Sequence, residues 1–316
     1  MPDILVVGSL NADLVVRAPR FPQPGETISG EDLQVIPGGK GANQAVAAAR
    51  LGANVSMLGR VGKDNFGDLL LDNLKSNNVD AQLVQRDDAS TGTATIIVDS
   101  NGQNSIVLSA GANGKVSPAD VEHASFPDFS LLLLQLEIPI PTVLSAAKLA
   151  KENGVRIILN PAPAKELPDE LIALVDFIIP NETELSLLTS MEVKDIPSSE
   201  KAAKKLLEHD VQNVIVTLGD KGALIVNKDA STHIDTFKVD VVDATAAGDA
   251  FIGGFATKFM ESASLLASPQ ERALALQNAV RYGCATGALA TTKFGAQPSL
   301  PTKEEVEKFM SLREGV

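Results

Sequence analysis

The sequence predicts an α/β protein: a three-layer α/β/α domain with a mostly parallel sheet, plus a small β-sheet lid. Three observations lead there. Short apolar runs of β type alternate with Ala- and Leu-rich stretches of helical spacing along the chain. Two stretches, 11–37 and 91–110, break that alternation and read as strands with no helix between them. The chain has 316 residues, 44% of them apolar, which suits one large domain over 1–316 with the two stretches inserted in it.

The elements follow in order. β-type runs occur at Ile4–Gly8, Val55–Gly59, Leu131–Leu136, Val155–Asn160, Phe177–Pro180 and Val214–Leu218. Helical spacing marks Gly41–Leu51, Thr142–Asn153 and Ser199–His209. Strands buried on both faces and separated by helices imply a parallel sheet with right-handed crossovers. Within the second insertion, Thr93–Asp99 and Ser105–Ser109 flank Asn101-Gly102, a strong hairpin signal. Pro19, Pro22, Pro24 and Gly25 punctuate the first. Together the insertions read as one small sheet standing off the domain; a pair of hairpins on the edge of the main sheet is the other arrangement. A long helix is expected from about Pro269, and a charged helix over Pro301–Val316 closes the chain.

Composition excludes several classes. Twenty-seven Lys and Arg against 40 Asp and Glu give a net charge of −13, which argues against a nucleic-acid or anionic-membrane surface. One Cys cannot form an intrachain disulfide, and one Cys with three His leaves no Cys/His zinc site of ordinary spacing. No apolar run approaches the roughly 18 residues of a membrane span. The opening Met1-Pro-Asp-Ile-Leu-Val-Val-Gly has an acid where a secretory signal wants bases. The expectation is a cytoplasmic protein with neither nucleic-acid nor membrane partners. An acidic chain is also a poor electrostatic host for an anion, which any phosphate chemistry must overcome.

Five motifs could carry chemistry. Pro37-Gly-Gly-Lys-Gly-Ala-Asn-Gln44 opens a helix, where glycines permit close backbone approach and free N–H groups face oxygen-rich ligands. It is no Walker A loop. The Gly-Lys pairs at 39–40, 62–63 and 114–115 have Gln34, Met57 and Ser109 where a Gly is required, and none is followed by Ser or Thr. No G-x-G-x-x-G occurs, which disfavours a NAD-linked oxidoreductase. Val242-Asp-Ala-Thr-Ala-Ala-Gly-Asp249 precedes an amphipathic helix. Its Ala246, Ala247 and Gly248 leave room for an anion at the helix start, and Asp249 can serve there as a general base or as a cap. Asn181-Glu-Thr-Glu184 follows a strand, where its acids could hold Mg²⁺ through water or simply begin a helix. Thr217-Leu-Gly-Asp-Lys-Gly222 is a turn that could lie along a nucleotide. Thr291–Ser299 is a Gly-containing helix exit whose carbonyls could coordinate a monovalent cation. His123, His209 and His233 lie outside every motif, and Cys284 sits in a run of small residues as a packed thiol.

In this order along the chain, Gly8-Ser-Leu-Asn-Ala-Asp13, Pro24-Gly-Glu-Thr27, Gly38–Gln44, Gly111-Ala-Asn113, Gln135-Leu-Glu137, Asn160-Pro-Ala-Pro-Ala164, Pro180–Glu184, Ala246-Ala-Gly-Asp249 and Gly295-Ala-Gln-Pro-Ser299 resemble the ribokinase-like (pfkB-type) family of carbohydrate kinases. The resemblance covers essentially the whole chain. It implies a ribokinase-like fold and ATP-dependent phosphorylation of D-ribose at the 5-hydroxyl. Asn11, Ala12 and Asp13 resemble the family's first sugar contact, Gly39, Lys40, Gly41, Ala42 and Asn43 the second, and Glu137 the third. Asp249 matches the catalytic base, and Ala246, Ala247 and Gly248 the anion hole. Asn181 and Thr217, Leu218, Gly219, Asp220, Lys221 and Gly222 resemble ATP contacts, with Gly248 and Asp249 beside them. Glu184 resembles the acid that organises Mg²⁺ and phosphate. Asp243, Thr245, Ala290, Lys293, Gly295 and Ser299 resemble loops that bind an activating K⁺, largely through backbone oxygens. The insertions match a β lid that also forms a homodimer contact. Two residues depart from the pattern: Ala244 stands where Thr or Ile is usual, and Cys284 where the adenine side often has Asn or His. Deoxyribose, fructose or a nucleoside remain open as substrates, as does a catalytically silent sugar sensor on the same fold.

Overall fold

The computed structural model describes residues 3–263 and 268–314; Met1, Pro2 and the last two residues of the expected closing helix lie outside them. Along the chain run β1 (Asp3–Val7), β2 (Asn11–Arg17), β3 (Gln34–Gly38), α1 (Lys40–Arg50), β4 (Asn54–Gly62), α2 (Asn65–Ser76), β5 (Val79–Asp87), β6 (Gly92–Val98), β7 (Asn104–Ser109), α3 (Pro118–Val121) and β8 (Leu131–Leu134). There follow α4 (Ile140–Glu152), β9 (Arg156–Leu159), α5 (Asp169–Leu174), β10 (Phe177–Ile178), α6 (Glu182–Thr189), α7 (Ile196–Leu206), β11 (Asn213–Thr217), β12 (Ala223–Asn227) and β13 (Ser231–Ile234). The last helices are α8 (Ala247–Ala263), α9 (Pro269–Ala290), α10 (Ala296–Ser299) and α11 (Lys303–Glu314).

The large sheet has nine strands in the order β13-β12-β11-β10-β9-β8-β1-β4-β5. Pairing is parallel from β5 to β11, and antiparallel where β12 and β13 extend that edge. β1 shows the physical logic. Its alternate residues Ile4 and Val6 join a core with α1, α8 and α9, while Leu5 and Val7 join another with α4 and α7. A period of two on a strand covered on both sides gives three layers. All four leucines of β8 are fully buried for the same reason.

The chain leaves β1 towards β4 and β5 on one side and later returns to β8 on the other. That reversal opens a crevice at the carboxyl ends of the strands, where open α/β sheets hold ligands.

The stretches at 11–37 and 91–110 meet in a separate four-stranded sheet, β3-β2-β6-β7, rather than as hairpins on the edge of the large one. β2 and β6 pair in parallel over seven residues, and β3 and β7 flank them antiparallel. The Asn101-Gly102 turn forms as expected: Asp99 Oδ1 accepts from Asn101 N (2.8 Å) and Gln103 N (2.9 Å). The small sheet also touches the C-terminal loop, with the Arg17 guanidinium 4.6 Å above the Phe294 ring.

α1 packs against α8 at very short range. A Cβ on Gly253 would lie 2.5 Å from the Ala47 methyl and 2.9 Å from Ala48 N. The stripe of small residues in both helices is what permits the approach.

Candidate active site

The ends of β8, β9, β10 and β11, the start of α1 and the start of α8 converge on one crevice. Its inner part, about 200 Å³, is lined by Lys40, Asn160, Asn181, Glu184, Gly248 and Asp249 among others. A broader part of about 820 Å³ continues past Thr217, Gly219 and Gly222 to Phe251 and Cys284. Asn181, Thr217, Ala247 and Gly248 border both.

Asp249 lies in the first turn of α8 and is buried. It caps nothing. Its Oδ2 accepts from Asn43 Nδ2 (2.9 Å) and its Oδ1 from Gln44 Nε2 (3.0 Å), both across from α1. Ahead of it, Ala246 adopts a left-handed backbone, φ 59°, an uncommon and costly conformation for a residue with a Cβ. The Ala247 N–H is taken by the Ala244 carbonyl at 3.2 Å. Among the described residues, Gly248 and Asp249 N–H have no protein acceptor. Gly248 also has open space where a side chain would be. A helix start with free N–H groups beside an open position suits an anion.

The start of α1 behaves differently, which corrects an expectation. Gly39, at φ 88°, turns the chain into the helix. Lys40 N then donates to Glu137 Oε2 (3.1 Å), Gly41 N to Ser9 Oγ (3.3 Å) and Ala42 N to Ser9 O (2.9 Å). The N–H groups expected to be free for a ligand are consumed by the protein. What α1 offers the crevice is side chains: Lys40 and Asn43, whose Oδ1 is buried with no partner.

Around them sit the other residues expected to contact sugar. Glu137 Oε2 also accepts from Ser9 Oγ (2.5 Å) and Asn11 Nδ2 (3.4 Å). Asn11 Oδ1 accepts from Asn113 Nδ2 (2.7 Å), which fixes the amide. Asp13 is buried, and its carboxylate has no hydrogen-bond partner among the described residues. Ala12 and Ala42 face the core, so any part they play is through backbone alone.

Charge is concentrated here. Burial, with the negative charges of Glu137 and Asp249, pushes Asp13 up from 3.8 to about 7, with Lys40 opposing. Burial disfavours the Lys40 ammonium, but Asp249, Glu137, Glu184 and Asp13 outweigh it and hold its pKa above the usual value. Burial also raises Glu184, against the Asn181 N–H and Lys40.

On the side expected to hold nucleotide, Asn181 and Glu184 form the capping box of α6. Glu184 N donates to Asn181 Oδ1 (2.8 Å), and Asn181 N donates back to Glu184 Oε2 (2.9 Å). Glu184 still borders the crevice, so cap and site are compatible. Thr217, Gly219, Asp220 and Gly222 line the wider part. Two expected contacts do not. The Leu218 side chain is buried in the core, and Lys221 reaches Glu182 at 3.4 Å instead. Cys284 borders the cavity, and burial pushes its thiol up to about 12, so it is an inert wall residue.

The loops expected to hold a monovalent cation do come together. Val242 N and Asp243 N donate to Thr291 O (2.8 and 3.1 Å), and Gly295 N to Asp243 Oδ2 (2.9 Å). Asp243 Oδ1 accepts from Thr245 N (2.9 Å) and Thr245 Oγ1 (2.6 Å). Burial opposes charge on Asp243, yet these bonds from Thr245 and Gly295 outweigh it and keep its pKa low. The Ala290 carbonyl is taken by Lys293 N (3.3 Å), the Lys293 ammonium turns to Glu305 (2.7 Å), and Ser299 Oγ donates to Ala296 O (2.8 Å).

Four residues at the site carried no assigned role in the sequence reading: Ser9, Gln44, Asn113 and Asn160. Each lies within a quoted motif, but its partners are far away in sequence.

A family model described as pfkB family carbohydrate kinase matches residues 1–303. The chain is 43% identical to a ribokinase of Haemophilus influenzae over 310 residues, covering 97% of this chain and 98% of that one. It is 39% identical to a deoxyribokinase of Salmonella typhi over 316 residues, covering 99% and 100%. Its fold is similar to the structure of Arabidopsis thaliana ribokinase complexed with ribose and ATP, with a TM-score of 0.88, 34% identity and 98% of each chain covered.

The raised pKa of Asp13 has a consequence for stability. Between pH 3.8 and about 7 the folded protein holds a proton on Asp13 that the unfolded chain has lost, so stability falls as pH rises through that window. Ligand-free Asp13→Asn protein should gain on its parent as pH rises, by about 1–4 kcal/mol at pH 8 relative to pH 4. Denaturant unfolding at both pH values checks this. A gap that does not widen contradicts it.

Proposed function

The chain belongs to the pfkB family of carbohydrate kinases, and from that premise we propose that it transfers the γ-phosphoryl group of ATP to the 5-hydroxyl of D-ribose, giving D-ribose 5-phosphate and ADP. The observation that carries the reading is Asp249. A buried carboxylate sits within one helical turn of two N–H groups with no acceptor among the described residues, in a crevice that widens from about 200 Å³ beside Lys40 and Glu184 to about 820 Å³ beyond Thr217.

In the mechanism, Asp13, Asn11, Glu137 and Asn43, clustered beside Asp249, accept from and donate to sugar hydroxyls. Asp249 takes the proton of the 5-hydroxyl as its oxygen forms a bond to the γ-phosphorus and the bond to the β-phosphate oxygen breaks. Negative charge spreading over the equatorial oxygens meets the Gly248 and Asp249 N–H groups and the Lys40 ammonium. Small residues at 246–248 let the phosphoryl approach the backbone. The small sheet, read as a lid, keeps water from competing with the sugar.

The residues present fit a divalent cation of the outer-sphere kind. No group of three His, Cys, Asp or Glu among the described residues could cage a metal. Glu184 instead presents a crevice-lining carboxylate, suited to holding Mg²⁺ through water while the phosphates supply direct ligands. Bound there, the ion would neutralise phosphate charge. The apposed loops of Asp243–Thr245 and Thr291–Gly295 are the place for an activating K⁺, with backbone oxygens as donors. The Lys293 side chain points elsewhere, so its carbonyl is the relevant atom.

The small sheet is also read as the contact of a homodimer. Every residue of β7, its outermost strand, is exposed. Ile106, Val107 and Leu108 expose 50%, 65% and 50% of their surface, an apolar edge that a monomer would ordinarily protect. No described helix is long and apolar enough to cross a membrane. The reading sets the enzyme in the cytoplasm, where ATP is supplied; activity confined to a secreted fraction would contradict that.

A deoxyribokinase stands among the relatives, so the decisive assay is ADP release with ribose, 2-deoxyribose, fructose and nucleosides. Ribose should give the highest kcat/KM, and Asp249→Asn should lose at least about 100-fold in kcat while still binding sugar. Another sugar ranking first would reassign the substrate, and near-normal turnover by the variant would remove the base. Replacing Na⁺ by K⁺ should raise the rate; equal rates in both salts would dispose of the cation site. In sedimentation the parent should run as a dimer and Val107→Lys as a monomer. A monomeric parent ends the lid-dimer reading.

A further inference from the structure

We propose that Gln44 is a positioning residue for the Asp249 carboxylate, with its amide held the right way round by Gln135. The inference rests on the reading of Asp249 as the base.

Gln44 is 0% exposed, so its amide is enclosed by protein. Its Nε2 donates to Asp249 Oδ1 (3.0 Å) and to Asn160 Oδ1 (3.2 Å). A primary amide has a donor side and an acceptor side, and something must choose between them. Gln135 Nε2 donates to Gln44 Oε1 at 2.7 Å. Turning the Gln44 amide over would set oxygen against the Asp249 carboxylate and NH₂ against NH₂ at Gln135.

Gln135 keeps this donor in place although its own Oε1 is buried without a partner. An unmatched buried acceptor is costly, so the direction of the amide chain matters more here than full satisfaction. Asn160, the second acceptor of Gln44, donates to Ile179 O (3.1 Å), which ties the chain to the end of β10. Asn43 holds one oxygen of Asp249 and Gln44 the other, so the carboxylate is fixed in plane as well as in place. The charged groups facing it, Lys40 from α1, Asp13 from β2 and Glu184 from α6, act at longer range and leave that orientation to the two amides.

The test compares Gln44→Met, Gln44→Glu and Gln135→Met with the parent by kcat, sugar KM and calorimetric sugar binding. Gln44→Met keeps length and loses the donor. Its kcat should fall about 10–100-fold while sugar binding stays within about 3-fold. Gln44→Glu is nearer in shape but brings a second carboxylate to the base, so it should be the more damaged of the two. A role in packing alone would reverse that order. Gln135→Met should show a smaller loss of the same kind, and it carries the test if Gln44→Met does not fold.

Unchanged kcat in Gln44→Met beside an inactive Asp249→Asn overturns the proposal and leaves the base intact. A rise in KM alone overturns it too. If the parent phosphorylates no sugar, the functional reading falls, and the crystal structure of Gln44→Met still decides the positioning. The Asp249 carboxylate should rotate away from its 2.9 Å contact with Asn43; an unmoved carboxylate refutes it.

Discussion

Gly253 on α8 meets Ala47 and Ala48 on α1 with no room for a side chain between them. The consequence appears one turn earlier in both helices. Residues four apart share a helix face, so Asp249 lies above Gly253 as Asn43 and Gln44 lie above Ala47 and Ala48. The close approach at one level puts the carboxylate within hydrogen-bond distance of two amides at the next. Gly41 does the same on the other side of α1, where a Cβ would fall 2.6 Å from Ser9 N. α1 is thereby pinned between the loop after β1 and α8, and the crevice opens at the point where all three meet.

That arrangement also divides the work between two helix starts. The N–H groups of α1 are spent on Glu137 and Ser9, which hold that end of the crevice rigid. Those of α8 stay free beside a glycine, where a phosphoryl group needs them. Four carboxylates, Asp13, Glu137, Glu184 and Asp249, surround the one lysine of the inner crevice. The region is negative before any ligand arrives, in keeping with a chain of net charge −13. Anion recognition therefore has to come from short-range backbone donors and from a cation accompanying the nucleotide. A basic surface would supply the same attraction at long range but with no geometry.

Much of this was legible in the residues. Apolar runs located six of the parallel strands because burial on both faces leaves unbroken hydrophobic stretches, but not β5, an edge strand only partly buried. Asn101-Gly102 located a hairpin because the loop needs a left-handed residue, which Gly102 supplies at φ 77°. Asp249 stood out because it follows three tiny residues at a helix start. What stayed hidden depended on distance along the chain. Gln44 and Asp249 are 205 positions apart, and Asn113 and Asn11 are 102 apart; no local pattern reports such pairs. The free or occupied state of a helix-start N–H was hidden too, since only the neighbouring chain decides it. The side chains of Leu218 and Lys221 lie in the core and at Glu182, because a turn lining a cavity sends some of its side chains inward and others out to solvent.

The dependence of the Asp249 carboxylate on helix contact can be measured at a residue outside the crevice. The structure of a Gly253→Ala variant would give the separation of Asn43 Nδ2 from Asp249 Oδ2, which is 2.9 Å in the parent. One added methyl must push α1 and α8 apart, so the separation should open beyond about 3.5 Å, past the range of a hydrogen bond. If the methyl is accommodated and both amides still hold Asp249 at their present distances, the close approach of the two helices is not what sets the site.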